Sequence, residues 1–304
     1  MKNTARKNDH KPLRRKQFIL KLAIGSGASV LSALESLMLE PERIQVVEVD
    51  LPIANLPQVF VGKRVVQISD IHCSRVVKIE YLQRCVRRIN ELQPDLVVMT
   101  GDYVTYHHLR RYTQRFLDVI GGIRSKNGVY ASLGNHDYGL IRGIRAVQPG
   151  LLRDLEGGMR EQGIWVLRNR ACIVNVDGQR IWVVGLGDLW SGDFDPERAF
   201  WRVPREEPII ALSHNPDTVD LLQGFGVNIV MSGHTHGGQV RVGKMRPPIL
   251  TMIKNKQWHA GMFEVGDTKL YVNRGLGRLG RVRYNCRPEI TVFTLSCAQG
   301  KFEV

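Results

Sequence analysis

Cysteine cannot organise this chain. Its five cysteines, Cys73, Cys85, Cys172, Cys286 and Cys297, are odd in number and widely scattered, and no two stand at metal-ligand spacing. That argues against a thiolate zinc site and against a disulfide framework. Cys73 is read as a small buried residue without a role of its own. Apolar runs are short too: the charge-free stretch 22–34 has thirteen residues, too few for a secure membrane span. There is no internal repeat, no linker suggesting two independent domains, and no convincing Ser or Cys nucleophile motif. Acidic residues are the minority, 29 against 43 Lys and Arg, for a formal net charge of +14. With 304 residues, 43% of them hydrophobic, the chain can bury a full core as one large domain with a tail.

The positive charge is unevenly placed. Lys2, Arg6, Lys7, Lys11, Arg14, Arg15, Lys16 and Lys21 face Asp9 alone within residues 1–21, and the apolar stretch 22–34 follows directly. A basic region before a modest apolar one has the form of an export signal, and Arg14-Arg15 ahead of Phe18-Ile19-Leu20-Lys21 resembles the twin-arginine kind. The expectation is a membrane-associated protein exported by that signal. The alternative is an in-plane amphipathic helix on the cytoplasmic face of the inner membrane. Glu35 and Glu40-Pro41-Glu42 close the stretch, so residues 1–40 are read as a basic arm with a signal or anchor, and 43–304 as the folded domain.

What the sequence does contain is a set of short polar motifs: Asp70-Ile71-His72, Gly101-Asp102, Asn135-His136-Asp137, His214 and His234-Thr235-His236. Oxygen donors and imidazoles suit Mn²⁺, Fe²⁺ or Zn²⁺, and seven candidate ligands exceed what one tetrahedral ion takes. Two divalent metal ions sharing a ligand accommodate them better. Periodicity places nearly every motif just after a strand. Residues 65–69 form a short β-branched apolar run ending at Asp70. Ile79, Leu82, Val86, Ile89 and Leu92 recur at helical spacing until Gln93-Pro94-Asp95, residues 96–100 run into Gly101-Asp102, and a helix over 116–123 leads to strand 129–133 and Asn135. Residues 209–213 and 227–232 deliver the remaining histidines. Runs at 163–170, 172–176 and 181–185, with Asp177-Gly178 as a hairpin turn, suggest a second, more antiparallel sheet, and strands at 269–273 and 289–295 complete the pattern. The expected fold class is α/β, two mixed sheets packed face to face with helices outside. Crevices at the carboxyl ends of such strands hold ligands.

Taken in order, Asp70-x-His72, Gly101-Asp102, Gly134-Asn135-His136-Asp137, His214 and Gly233-His234-x-His236 resemble the five-motif signature of the calcineurin-like metallophosphoesterases. Gly101-Asp102-Tyr103-Val104, Ser213-His214-Asn215-Pro216, Gly237-Gly238-Gln239 and Asn285-Cys286-Arg287-Pro288-Glu289-Ile290 narrow the resemblance to the exported phosphodiesterase subgroup typified by YaeI and YkuE. A related branch cleaves UDP-2,3-diacylglucosamine in lipid A synthesis. The resemblance implies a four-layer α/β/β/α sandwich and a hydrolase of phosphodiester or pyrophosphate bonds. It implies that Asp70, His72 and His236 hold one ion, that Asn135, His214 and His234 hold the other, and that Asp102 bridges them. His136 would serve the leaving oxygen, with Asp137 orienting its ring. Two ions about 3.5 to 4 Å apart polarise phosphoryl oxygens and acidify a bridging water that becomes the nucleophile. Mn²⁺ is the favoured metal.

The substrate is read from the remaining charge. Residues 237–288 carry eleven Lys and Arg against Glu264 and Asp267, and Arg278 and Arg281 on Gly275-Leu276-Gly277-Arg278-Leu279-Gly280-Arg281 are the candidates for gripping phosphate. A lipid-linked phosphate ester or pyrophosphate at an anionic membrane surface is the expected partner, with Trp258, Met262 and Phe263 as candidate bilayer or acyl contacts. Nucleic acid, or exported general phosphodiesterase activity, is the alternative; aromatics interleaved for base stacking are few. A metal-binding scaffold without turnover is the remaining class, and the presence of His136 beside the full ligand set argues against it.

Overall fold

Two six-stranded sheets meet face to face, and the way their strands end places the site. The computed structural model describes residues 39–105, 110–140, 149–243 and 253–298. The basic arm, the stretch 22–34, Lys244 and Arg246 lie outside the described residues. No described helix is long and apolar enough to cross a membrane.

The first sheet runs β1 (Gln45–Ile53), β12 (Glu289–Cys297), β2 (Arg64–Ile68), β3 (Leu96–Thr100), β4 (Val129–Ser132) and β5 (Ile164–Val166). β2 to β5 are parallel, whereas β12 pairs antiparallel to β2 and parallel to β1. Every residue of β3 and β4 is buried, as parallel strands covered on both faces require; this is why they read as unbroken apolar runs. Helix α1 (Ile79–Glu91) lays Tyr81, Leu82, Cys85, Val86 and Ile89 on that sheet and ends before Pro94, with Gln93 at a left-handed φ of 47°. Helix α2 (Arg110–Ile120) starts earlier than the expected 116–123 and stops where Gly121-Gly122 begins. Helix α3 (Pro149–Glu161) escaped the periodicity reading because Gly157 and Gly158 interrupt it. A Cβ on Gly158 would strike Leu117, so the glycine lets α3 approach α2.

The second sheet runs β10 (Gly261–Val265), β11 (Thr268–Val272), β9 (Ile229–Ser232), β8 (Ile209–Leu212), β7 (Gln179–Gly185) and β6 (Arg170–Val176). It is less antiparallel than its hairpins suggest. Only the edge pairs β6–β7 and β10–β11 are antiparallel, and β7, β8, β9 and β11 are parallel. The run read as one strand at 163–170 is divided. Ile164–Val166 closes the first sheet, Leu167 sits between the sheets, and the turn at Asn169 (φ 50°) sends Arg170 into the second.

Three apolar clusters follow from this layering. One lies under α1, α2 and α3 on the outer face of the first sheet. The second fills the space between the sheets, where Phe60, Tyr130, Ile181, Met231 and Phe293 interlock. The third covers the second sheet from outside, under the short helix α4 (Pro196–Ala199), the 3-10 segment Pro216–Leu222 and Trp258. The expected layers are present, with the last one reduced to short pieces. Glu40 and Pro41 already belong to the packed body: they are buried, and a Glu40 carboxylate oxygen accepts from the Cys286 amide at 2.5 Å. Phe293 is fully buried between the sheets. Phe293→Ala should destabilise the protein by about 3–5 kcal/mol, read as a lower urea midpoint with an unchanged slope.

Candidate metal centre

The carboxyl ends of β2, β3, β4, β8 and β9 open onto one crevice, and each hands over within a few residues to a polar motif. Cross-strand pairing continues into the loops: the Asp70 amide donates to Gly101 O (3.0 Å), the His72 amide to Asp102 O (2.9 Å) and the Gly233 amide to His214 O (3.0 Å). Asp70, His72, Asp102, His234 and His236 all take positive φ, between 48° and 71°. Non-glycine residues held there cost on the order of 1–3 kcal/mol each and gather at functional sites. Glycine makes room beside them. A Cβ on Gly134 would enter the Asp102 carboxylate, and one on Gly233 would overlap Ser69 Oγ and an Asp70 oxygen.

Donor atoms converge in three overlapping groups: Asp70, His72 and His236; His72, Asp102 and His136; Asp102, His214 and His234. His72 Nε2 lies 3.0 Å from His236 Nε2, and His234 Nδ1 lies 3.2 Å from His214 Nε2. Asp102 Oδ2 is 3.1 Å from His214 Nε2 and 3.5 Å from His72 Nε2, while Asp70 Oδ1 is 3.4 Å from His236 Nε2. Distal contacts fix the rings. His214 Nδ1 meets Thr100 O at 2.7 Å and His72 Nδ1 meets Thr105 Oγ1 at 3.1 Å, which leaves each Nε2 facing inward. Asn135 donates through Nδ2 to Leu140 O, its neighbour His136 bonds Asp102 through the main chain, and its Oδ1 is buried without a partner. His234 Nε2 and His236 Nδ1 are also buried and unpartnered. Imidazole nitrogens facing each other beside carboxylates, with an amide oxygen free, make a donor set that fits divalent cations.

The electrostatics favour free lone pairs on three of the four candidate imidazoles, His72, His234 and His236. Burial, reinforced by His214 for His234 and by His72 for His236, holds both imidazoles well below their usual range, with His234 at about 3. His72 is likewise lowered by burial to about 3. These rings are therefore neutral at physiological pH and offer lone pairs without proton competition. Burial also lowers His214, but Asp102 outweighs it and raises that ring to about 10; Asp102 itself, against burial, is held low by His214. Burial and the nearby Asp102 charge raise Asp70 to about 6. A cation between these carboxylates would relieve that repulsion.

Three expected roles, those of Asp137, Arg278 and Trp258, are not what the structure shows. Asp137 does not hold the His136 ring. Its Oδ2 accepts from the amides of Asp102 (2.8 Å) and Gly134 (2.9 Å), and its Oδ1 from Tyr103 (2.8 Å), so it clamps the loops after β3 and β4 together. The His136 ring instead places Nδ1 3.3 Å from Thr105 O. Arg278 is buried and donates to Pro41 O and Val76 O, so it is structural; Arg281 is exposed. The glycine-rich segment packs against Asp70 and Ile71. Gly277 N donates to Asp70 O, a Cβ on Gly277 would strike Ile71 O, and the fully buried Arg283 pins the segment by donating to the carbonyls of Arg274, Gly275, Gly277 and Cys286. Trp258 is buried in the outer cluster of the second sheet, whereas Met262 and Phe263 are partly exposed while packing against the clusters.

Sequence reasoning missed the loop after β7. Leu186 N donates to Leu212 O, continuing the β7–β8 register, so Asp188 emerges beside His214. Asp188 is only 2% exposed, and its Oδ2 has no partner while Oδ1 accepts from Ser191 N at 2.8 Å. Two residues on, the Trp190 ring stands edge-on to His234 with centroids 4.4 Å apart. Arg168 and Tyr138 both bind Asp193 and lock this loop to the neighbouring walls. Gly185-Leu186-Gly187-Asp188 after an apolar strand was the available signal; it repeats the strand-to-acid pattern of Ser69-Asp70 and Gly101-Asp102.

Residues 63–238 match the calcineurin-like phosphoesterase family, and the chain belongs to that family. It is 35% identical over 260 residues to the uncharacterized metallophosphoesterase YkuE of Bacillus subtilis, covering 84% of this chain and 87% of that one. Phosphodiesterase YaeI of Escherichia coli is 31% identical over 232 residues, 76% of this chain and 82% of its own. UDP-2,3-diacylglucosamine pyrophosphatase LpxG of Chlamydia trachomatis is 31% identical over 300 residues, 83% of this chain and 89% of its own. The chain is a metallophosphoesterase.

Asp188→Asn keeps the size of the side chain and removes its charge. It should weaken divalent-metal binding, read with Mn²⁺ in calorimetry, by about 10-fold or more, with an unchanged circular dichroism spectrum. Binding equal to the parent protein would assign Asp188 a purely structural role.

Proposed function

We propose that this protein hydrolyses a phosphodiester or pyrophosphate bond with two divalent metal ions, Mn²⁺ favoured, and that its substrate is lipid-linked. The observation that carries the reading is the overlap of the donor groups through Asp102, whose Oδ2 lies near both His72 and His214. Asp70, His72 and His236 would hold one ion, and Asn135, His214 and His234 the other, with Asp102 shared. Two such ions polarise phosphoryl oxygens and lower the pKa of a water in the site.

The chain's own groups do the rest. His136 is fixed at both ends, its amide on Asp102 Oδ1 at 2.9 Å and its Nδ1 toward Thr105 O. With Nδ1 held there, the ring's Nε2 is the atom that would deliver a proton to a departing oxygen. Asp137, through its three amide bonds, keeps the Asp102 loop and the His136 turn in register. The wall formed by Trp190 limits water access beside His234.

Similarity to LpxG over most of both chains supports a substrate carrying acyl chains next to a phosphate. A membrane-associated location is proposed with it, by way of the amino-terminal arm.

The test is hydrolysis of bis(4-nitrophenyl) phosphate by Mn²⁺-loaded protein. His136→Ala should lower kcat about 100-fold or more while both ions stay bound, and Asp102→Ala should abolish activity together with metal uptake. An Asp102→Ala variant as active as the parent would overturn the reading. Release of UMP from UDP-2,3-diacylglucosamine, with single-stranded DNA left intact, is the expected substrate profile; DNA cleavage alone would replace the lipid with nucleic acid.

A further inference from the structure

The most exposed large apolar side chains of the described residues are Trp201, at 79%, and Trp165, at 57%. They do not lie at the metal centre. Both line a cleft of about 890 Å³ at the side of the molecule, where the edge strand β5 of the first sheet, the edge strand β6 of the second and α4 come together. Trp165 points outward from β5 between the buried Ile164 and Val166. Trp201 follows Phe200, which packs on Phe225 with centroids 4.9 Å apart, so the neighbour serves the core and Trp201 does not. Aliphatic atoms of Val166, Leu167 and Val203 supply further lining.

Arginines complete the cleft: Arg160, Arg170, Arg198 and Arg202. Arg160 has a 3.9 Å contact with Glu156, while the other three have no acidic partner among the described residues, and no acidic residue lines the cleft. Exposed indoles beside unpaired guanidinium groups suit an anionic lipid surface. The indole occupies the boundary between head groups and acyl chains, and the guanidinium binds phosphate oxygens with its stem along apolar surface. We infer that this cleft is a docking face for an anionic lipid bilayer. A second copy of this chain is a poor occupant, because it would bring arginines against arginines on a protein of net charge +14. Single-stranded nucleic acid would use the same charge and would stack on Trp165, Trp182 and Trp201, so it is the rival occupant that the oligonucleotide arm of the test separates from the bilayer.

The face is tied to the metal centre. Leu167 and Asn169 of the cleft flank Arg168; Arg168 and Asn169 both bind Asp193, in the loop whose Trp190 stands against His234. Docking would therefore set the orientation of the crevice relative to the lipid plane. β5 and β1 are opposite edges of the first sheet, so this contact is separate from the place where the amino-terminal segment enters the fold. Two weak attachments together give the stable anchoring that one does not. The use of this face to reach a lipid-linked ester rests on the proposed function; the docking itself does not.

The test uses the full chain with phosphatidylcholine vesicles carrying brominated acyl chains, with and without phosphatidylglycerol. Tryptophan fluorescence should be quenched only on the anionic vesicles, and Trp165→Phe with Trp201→Phe should remove most of that quenching. Arg198→Glu with Arg202→Glu should weaken vesicle binding about 10-fold or more. Hydrolysis of soluble bis(4-nitrophenyl) phosphate should be unchanged in both double variants, which separates failure of docking from failure of the catalytic reading. Quenching unaffected by the tryptophan pair would overturn the proposal. So would loss of oligonucleotide binding, or of a dimer in light scattering, in these variants without loss of vesicle binding.

Discussion

Every loop of the crevice is arranged around one buried carboxylate. Asp102 is 2% exposed, and taking its charge out of water is expensive unless hydrogen bonds and opposite charge compensate. The structure supplies them from several directions: the His136 amide on Oδ1, and the His214 and His72 rings near Oδ2. Its own amide is held by Asp137. These partners come from strands far apart in sequence, so satisfying one carboxylate fixes how β2, β3, β4 and β8 end relative to one another. Asn135 Oδ1, buried with no protein partner, and the imidazole nitrogens that face one another, His72 Nε2 with His236 Nε2 and His234 Nδ1 with His214 Nε2, are the groups that a cation would satisfy.

The packing exists to deliver this geometry. Parallel strands buried on both faces bring their carboxyl ends to one edge, and the apolar cluster between the sheets holds those edges together. The left-handed residues at the strand ends carry strain that the cross-loop hydrogen bonds and the cradle of Gly275, Gly277 and Arg283 maintain. Asp137 and Arg283 show how the same chemistry can serve position instead of reaction. Both are buried ionisable side chains, and both spend their hydrogen bonds on main-chain groups next to the metal donors.

Much of the fold was legible because burial on two faces leaves a simple trace. Residues 65–69, 96–100, 129–133, 209–213 and 227–232 read as apolar runs ending in acids, amides or histidines, and each corresponds to an observed strand. Less legible were elements whose residues answer to distant partners. β1 alternates as an edge strand and pairs with β12, more than two hundred residues away. α3 has Gly158 at the point where Leu117 of another helix leaves no room for a Cβ. The 163–170 run was divided between two sheets by the turn at Asn169, which short-range apolar patterning does not report.

For the site, the sequence by itself determined which donors exist and in what order the strands present them, since ligand type and strand-end position are local properties. Only the tertiary structure decided which atoms meet. It turned Asp137 away from His136, sank Arg278 and Arg283 into backbone carbonyls, brought Asp188 alongside His214, and left Trp165 and Trp201 exposed with arginines on a distant edge. The reason is physical. A side chain's chemistry is written in one residue, but the partner that uses up its hydrogen bonds, or leaves them free, is set by chain segments that meet only on folding.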